Sequence, residues 1–466
     1  MMRRFIPLIV MSALVCGCPR PVKYAQPGLP VPSAWPDSSS AGAGAPGTPA
    51  PAELKWQEFF TDQRLRSVIE LALANNRDLR IAALNIEKVQ ALYRIQRAEL
   101  YPTVVASASA DAYRVPKSMS SNNEPDIVSQ IRVGLVTASW ELDLFGRIRS
   151  LKSAALEQYL ATEQARSAAQ ISLVAAVANA YLAFAADREN LKLAQVTLDA
   201  QQASYELIRE TRNAGIANDL DLRQAQSQVE AARVDIARYS GQLALDENAL
   251  NLLVGAPVPP GMISDDLGGV APFKDVAPGL PSDVLLRRPD ILAAEHQLKS
   301  ASANIGAARA AYFPRITLTA AAGIVSGDLT NLFKPAAGTW EFAPQVTLPI
   351  FDAGARKAGY RAAEVDRDTA VAEYEKAIQA AFREVSDSLS LRSTLVAQQD
   401  ATQALVNALD EAYRLSEARY KAGIDSYLTV LVSQRALYTA QQFLVGVRLE
   451  RMGNLVTLYK VLGGGA

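Results

Sequence analysis

Residues able to do chemistry are few in this chain. His296 is the only histidine, and Cys16 and Cys18 are the only thiols. On a helix, a lone histidine is a packed or surface residue rather than a ligand or base, so a zinc site or an activated nucleophile lacks its parts. Gly215 and Gly423 each close a long helical run and read as helix terminators rather than as a phosphate-cradling loop. Glu141 and Asp143 alternate along one strand face, which suits a wet lumen better than the facing carboxylates of a glycosidic site. The reading is therefore not enzymatic, with no cofactor and no metal. Asp219, Asp221 and Asp425 follow the two glycines closely. They are either helix-start residues beside a macrodipole or polar groups with a task at the turns.

The thiols point to export instead. Arg3 and Arg4 precede an apolar run from Phe5 to Val15 and then Cys16-Gly17-Cys18, a secretory signal too short for a spanning helix. Val-Cys-Gly-Cys resembles a bacterial lipobox and makes Cys18 the acylation candidate. With Cys18 lipidated and Cys16 cleaved away, no disulfide framework remains. A formal charge of −1, with 20% charged residues, carries no basic excess, so no nucleic-acid partner is expected.

The elements that place these residues come in two rounds. Residues 1–17 are a lipoprotein signal, and 18–55, rich in Pro, Ser, Ala and Gly, an extended tether without enough apolar surface for a core of its own. A first repeat, 56–254, begins with a helix from Leu65 to Leu100 ended by Pro102, and continues through a hairpin over about 103–144. In its second strand Ile131, Val133 and Leu135 share a face. The phase slips between Thr137 and Trp140, which predicts a bulge. From Gly146 to Arg212 the pattern is helical without a proline, long enough for a rod of about 100 Å. Asn213-Ala-Gly215 ends it, and Asn218-Asp219 caps the next helix. A Pro/Gly-rich connector, 255–282, leads to a second repeat, 283–466, with a hairpin over about 315–351, a helix from about Ala355 to Lys421 and another from Ser426 to Leu462. Arg97, Ala98 and Pro102 match Arg309, Ala310 and Pro314 at an offset of 212 residues, and Tyr205, Gly215 and Gln226 match Tyr413, Gly423 and Gln434 at 208.

Strands of about ten residues with one apolar face suit an outer-membrane barrel wall. Trp140 and Trp340 lie near strand ends, where interface aromatics belong, and the mature chain carries no evident spanning helix. Four strands cannot close in lipid without leaving backbone groups unpaired, and eight would be filled by their own side chains. A conduit therefore needs three or more copies.

Trp140-Glu-Leu-Asp-Leu-Phe-Gly-Arg147, Leu286-Arg-Arg-Pro-Asp-Ile291, Asn304-Ile-Gly-Ala-Ala-Arg309 with Tyr312-Phe-Pro314, Leu348-Pro-Ile-Phe351 and Leu458-Tyr-Lys-Val-Leu-Gly-Gly464 resemble the TolC-like outer-membrane efflux proteins, in particular the lipidated OprM-like, NodT-type branch. The resemblance implies a fold that is mainly α with β: a homotrimer whose twelve-stranded barrel, four strands per chain, continues into a long periplasmic α-helical barrel. It implies a passive, lipid-anchored outer-membrane duct that carries drugs or other small molecules. An inner-membrane pump of the RND type and a periplasmic adaptor would be its partners. By resemblance Asp221 and Tyr420 are gate-latch residues at the periplasmic turns. Asp425 stands where TolC has an arginine, and Thr429 and Val432 where it has two pore-lining aspartates, so Asp219 or Asp425 would have to supply any acidic ring. Two alternatives stand beside this reading: a duct for protein secretion, and a periplasmic coiled-coil lipoprotein that does not conduct.

Overall fold

A computed structural model describes residues 24–33, 35, 54–121, 124–215, 218–274 and 282–464, so Cys18 lies outside the described residues. The elements are α1 (Gln63–Asn75), α2 (Arg77–Ala98), β1 (Val105–Val115), β2 (Asp126–Glu141), α3 (Arg147–Asn213), α4 (Asp219–Val254), α5 (Pro289–Ala310), β3 (Arg315–Ser326), β4 (Gly338–Thr347), α6 (Ala355–Lys421) and α7 (Tyr427–Val461). The two rounds agree in length as well as order. α3 and α6 each have 67 residues, α4 and α7 have 36 and 35, and α2 and α5 each have 22. The fold is thus mainly α with β, built from two structural repeats.

Contacts divide the chain into two compact units. One comprises Met1–Gly28, Asn85–Thr162 and Ala293–Tyr374, and holds a four-stranded sheet in the order β1-β2-β3-β4 with every neighbouring pair antiparallel. Directly opposed residues point to the same side, so the register sorts the side chains. One face carries Ala106, Ala108 and Ala110, then Ile131, Val133 and Leu135, then Ile316, Leu318, Ala320, Ala322 and Ile324, then Trp340, Phe342 and Val346. The other carries Ser107, Ser109 and Asp111, Gln130 and Arg132, Thr317 and Thr319, and Thr339, Glu341 and Gln345.

The β2–β3 register shifts between Thr137 and Trp140, and Ser139 adopts a positive φ of 54°. This is the bulge that the phase slip predicts. It returns Trp140 to the apolar face opposite Leu318. Gly134 and Gly323 face each other on the polar side, and a Cβ at Gly134 would lie only 2.6 Å from the Ala322 carbonyl oxygen. Only glycine permits so close an approach of the two strands. Among the described residues the apolar face is left open: Leu135, Phe342 and Val346 are 56%, 61% and 63% exposed.

Where the sheet meets the helices, acidic residues act as clasps. Arg147 donates to both carboxylate oxygens of Glu141 at 2.8 Å, and Arg315 reaches the same carboxylate at 2.6 Å. Asp143 accepts from the backbone N–H groups of Ile148 and Arg149 at 3.2 and 2.9 Å, capping α3. Asp352 plays the corresponding part before α6, accepting from Gly354 N and Arg356 N. The Glu141 and Asp143 side chains are 9% and 8% exposed. They therefore face arginines and a helix end rather than the open lumen their alternation suggests.

The second unit comprises Leu29–Leu84, Glu163–Leu292 and Glu375–Ala466. The continuous helix expected from Leu65 to Leu100 is broken at Asn76. Its side chain accepts from Leu79 N at 2.8 Å and donates to the Leu253 carbonyl at 2.8 Å, starting α2 afresh. Gly255, at φ 76°, lets the end of α4 lie against the Asn75 carbonyl. Nearby, Tyr459 stacks on Phe59 with ring centroids 4.3 Å apart, and Phe60 and Phe273 close the cluster edge-on at 5.3 Å. Arg288, from the Leu286–Ile291 motif, is a hub: it donates to both oxygens of Asp290, to Glu384 at 3.0 Å and to the Val461 carbonyl at 2.7 Å.

One 18-residue window of α3 is long and apolar enough to cross a membrane, although the sequence reading finds no spanning helix; 56% of that window is buried inside the fold. Val174, Val177, Tyr181 and Leu182 are buried, so its apolar character serves helix packing. The tether forms no core of its own but is seated: Tyr24 donates to Glu295 at 3.1 Å, Gln26 donates to Tyr374 at 3.1 Å, and Trp35 stacks on Phe382 at 4.6 Å.

Candidate functional site at the helix turns

Both long helices end in the same way. After α3, Gly215 turns left-handed at φ 78° and its N–H donates to the Arg212 carbonyl; after α6, Gly423 does so at φ 72° and donates to the Tyr420 carbonyl. A Cβ at either glycine would meet nothing within 4 Å. Backbone conformation, not space, demands glycine here.

Each turn is then braced by an arginine from the closing helix and an aspartate beyond the glycine. Arg212 donates to Asp219 at 2.9 Å, and Arg419 holds Asp425 with two bonds of 2.6 and 3.0 Å. The Arg419 guanidinium keeps the Asp425 carboxyl below the usual carboxylate range. Both aspartates that could have supplied an acidic ring are thereby paired with an arginine of their own chain. Asn218 caps α4 by accepting from Asp221 N at 2.8 Å, leaving the Asp221 carboxylate in the first turn.

Behind the braces lies an apolar cluster that joins the two helix pairs. Ile208 and Ala225, from α3 and α4, pack with Tyr427, Val430 and Leu431 from α7, ringed by Tyr205, Leu222, Tyr413 and Tyr420. The rings of Tyr420 and Tyr427 stand 5.5 Å apart. The Tyr420 phenol is pushed up by burial and then by the nearby charge of Asp221 on α4. Thr429 and Val432 are exposed on α7, Val432 at 61%. Val432 also edges a groove with Leu405, Leu409, Arg435 and Phe443. Sequence alone assigns no part at the turns to the tyrosines at 205, 413 and 427 or to the two arginine braces. The pairing of Tyr205 with Tyr413 in the repeat and the seven-residue step from Tyr413 to Tyr420 were the available signals.

The two tryptophans lie toward opposite ends of the apolar face. Trp140 is the penultimate residue of β2, opposite Leu318, and Trp340 is the third residue of β4, opposite Ala322. Four residues of β3 separate those levels, about 14 Å along the strand. His296 Nδ1 lies 2.6 Å from Glu157, as a packed partner between α5 and α3. Among the described residues no cluster of histidine, cysteine and carboxylate side chains could hold a metal.

Higher on α3, Asp187 is pushed up to about 6 by burial and by the hydrogen bond and charge of Asp246 on α4. A carboxyl raised above its usual 3.8 favours the folded state when protonated. This contribution is complete below about pH 4 and is lost as the pH rises through about 6. Asp187→Asn is therefore expected to flatten the dependence of the melting temperature on pH between about 4 and 6.5. At pH 7.5 it should raise stability by on the order of 1 kcal/mol, a figure discounted for solvent screening. An unchanged pH slope would show that burial and Asp246 do not raise Asp187.

With this geometry in place, relatives are informative. The family described as outer membrane efflux protein matches residues 68–256 and again 280–464. The toluene efflux pump outer membrane protein TtgC of Pseudomonas putida is 47% identical over 465 residues, covering 100% of this chain and 96% of the relative. The outer membrane protein OprJ of Pseudomonas aeruginosa is 41% identical, covering 98% of this chain and 95% of its own length. The crystal structure of the open state of the Neisseria gonorrhoeae MtrE outer membrane channel superposes with a TM-score of 0.85 at 37% identity, covering 95% of this chain and 97% of that one. A twice-matched family, relatives that align along nearly the whole chain and a sheet with an exposed apolar face agree: the chain belongs to the outer membrane efflux protein family.

Proposed function

We propose that three copies of this chain form a lipid-anchored duct that leads small molecules from an inner-membrane pump through the periplasm and the outer membrane. The observation that carries this reading is the sheet, with one continuous apolar face and β1 and β4 as its two edges. In lipid an unpaired edge costs several kcal/mol per backbone group, so the edges must meet partners. With four strands alternating in direction, β4 of one copy runs antiparallel to β1 of the next. Three copies give twelve strands, wide enough for a lumen lined by the polar face.

The turns form the periplasmic gate in this reading. Asp221 and Tyr420 tie α4 to α6, while Arg212–Asp219 and Arg419–Asp425 fix each turn as a rigid unit. Exposed Thr429 and Val432 make the constriction apolar and hydroxyl-lined rather than acidic. Cys18 carries the acyl anchor, an adaptor protein grips the helices, and the pump is of the RND type. The name of TtgC supports apolar solvents such as toluene among the cargoes.

Planar-bilayer recording on the purified full-length protein tests the reading. Discrete ion-conducting steps are expected. A protein that inserts without conducting, or one without heat-resistant β-structure in detergent, would refute it.

A further inference from the structure

The first turns of α4 belong to the turn cluster, but farther along the helix a second polar feature appears. Asp235, Tyr239, Gln242 and Asp246 follow one another at steps of four, three and four residues, a single stripe on one side of α4. Asp235 is 14 residues beyond Asp221, about 21 Å along the axis, so the stripe is separate from the turn.

The near end of the stripe is tied to α7 by two rungs. Tyr438 donates to Asp235 at 3.0 Å, and one helical turn on Gln442 donates to the Tyr239 hydroxyl at 3.1 Å. Arg238 supports both acceptors: it pairs with Asp235 at 3.0 Å and its guanidinium lies 4.6 Å over the Tyr239 ring. Burial, then Asp235, pushes the Tyr438 phenol far up, which keeps it a donor at every physiological pH. α4 belongs to the first helix pair and α7 to the second, so the rungs tie one pair to the other. Packing alone gives no reason for them, since the neighbouring contacts of α7 are apolar: Leu437, Ala440 and Leu444 are buried against Val406.

We propose that the rungs Tyr438–Asp235 and Gln442–Tyr239 form a second latch, which holds the two helix pairs of one protomer together and must release before the periplasmic end opens. This rests on the reading of the turns as a gate. Opening then requires two separated sets of links to break, which makes the closed state tighter than the turn residues alone would.

The test uses the full-length protein in planar bilayers. Tyr438→Phe with Gln442→Leu is expected to raise the open probability roughly tenfold, the size set by two net hydrogen bonds, and to add to the effect of Asp221→Ala with Tyr420→Phe. Asp235→Asn, which keeps an acceptor oxygen, should stay near the parent, whereas Asp235→Leu should open the channel. A bis-methanethiosulfonate bridge between Asp235→Cys and Tyr438→Cys should close it until a reductant is added, a readout that does not depend on a destabilised variant. If the turn variant opens the channel while the rung variant and the bridge change nothing, the second latch is wrong and the gate reading stands. If neither variant changes the current, the gate reading falls and the latch with it.

Discussion

Asp221→Ala combined with Tyr420→Phe is expected to raise the single-channel conductance several-fold. The argument is local. Asp221 sits in the first turn of α4 with its backbone N–H already used by Asn218, so the carboxylate is available to the phenol of Tyr420 on α6. The link lies against the cluster of Ile208, Ala225, Tyr427, Val430 and Leu431, where a charged group and a phenol are partly shielded from water. The attraction between a phenol and a carboxylate at a partly exposed site is worth on the order of 1 kcal/mol, a several-fold shift in an open–closed equilibrium. The variant leaves Arg212–Asp219 and Arg419–Asp425 in place, so each turn keeps its shape while the helix pairs lose one of their ties. Currents equal to those of the parent would remove both residues from the gate.

Glu141→Ala is expected to weaken the wall itself. The carboxylate is nearly buried and accepts from Arg147 twice and from Arg315 once, joining the end of β2, the start of α3 and the start of β3. Its loss strands two guanidinium groups at the junction of sheet and helix. The Arg147 and Arg315 side chains are 32% and 59% exposed and recover part of their hydration, which brings the cost to about 2 kcal/mol per chain rather than the larger penalty of a fully buried pair. The measurement is the temperature at which the assembled species dissociates in detergent. Glu141→Gln, which retains one acceptor oxygen, should fall between the parent and Glu141→Ala. Three equal dissociation temperatures would mean that the clasp contributes nothing to assembly.

Much of this architecture was legible because it is written in periodicity. The alternation of Ile316, Leu318 and Ile324 sorts one face of β3, and the parity slip at Trp140 announces a bulge that the Thr137/Trp140 register shift then displays. The ends of α6 follow from Asp352-Ala-Gly354 before it and Gly423 after it. What remained hidden depends on partners distant in sequence. Asn76 interrupts a helical period without altering it, and its role needs the Leu253 carbonyl, 177 residues away. Tyr24 and Trp35 sit in a Pro/Gly-rich segment that reads as unattached until Glu295 and Phe382 are beside them. The final strand continues as an apolar run to Ile350, yet β4 ends at Thr347, since Pro349 has no N–H to donate.

At the turns the division is similar. Asp219, Asp221 and Asp425 stand out by position, but charge alone does not say which of them is free. Arg212 and Arg419 decide that question, drawing Asp219 and Asp425 into braces and leaving Asp221 to face Tyr420. Thr429 and Val432 stand exposed on α7 beside these braces, without a charge of their own.

That a four-stranded sheet closes only with two further copies is the claim on which the duct depends. Native mass spectrometry of the complex extracted intact from the outer membrane counts those copies directly. Three chains per particle, each heavier than the cleaved polypeptide by an acyl anchor on Cys18, are expected. A particle of one or two chains would leave the edges of β1 and β4 unmatched or the barrel too narrow, and would contradict the duct.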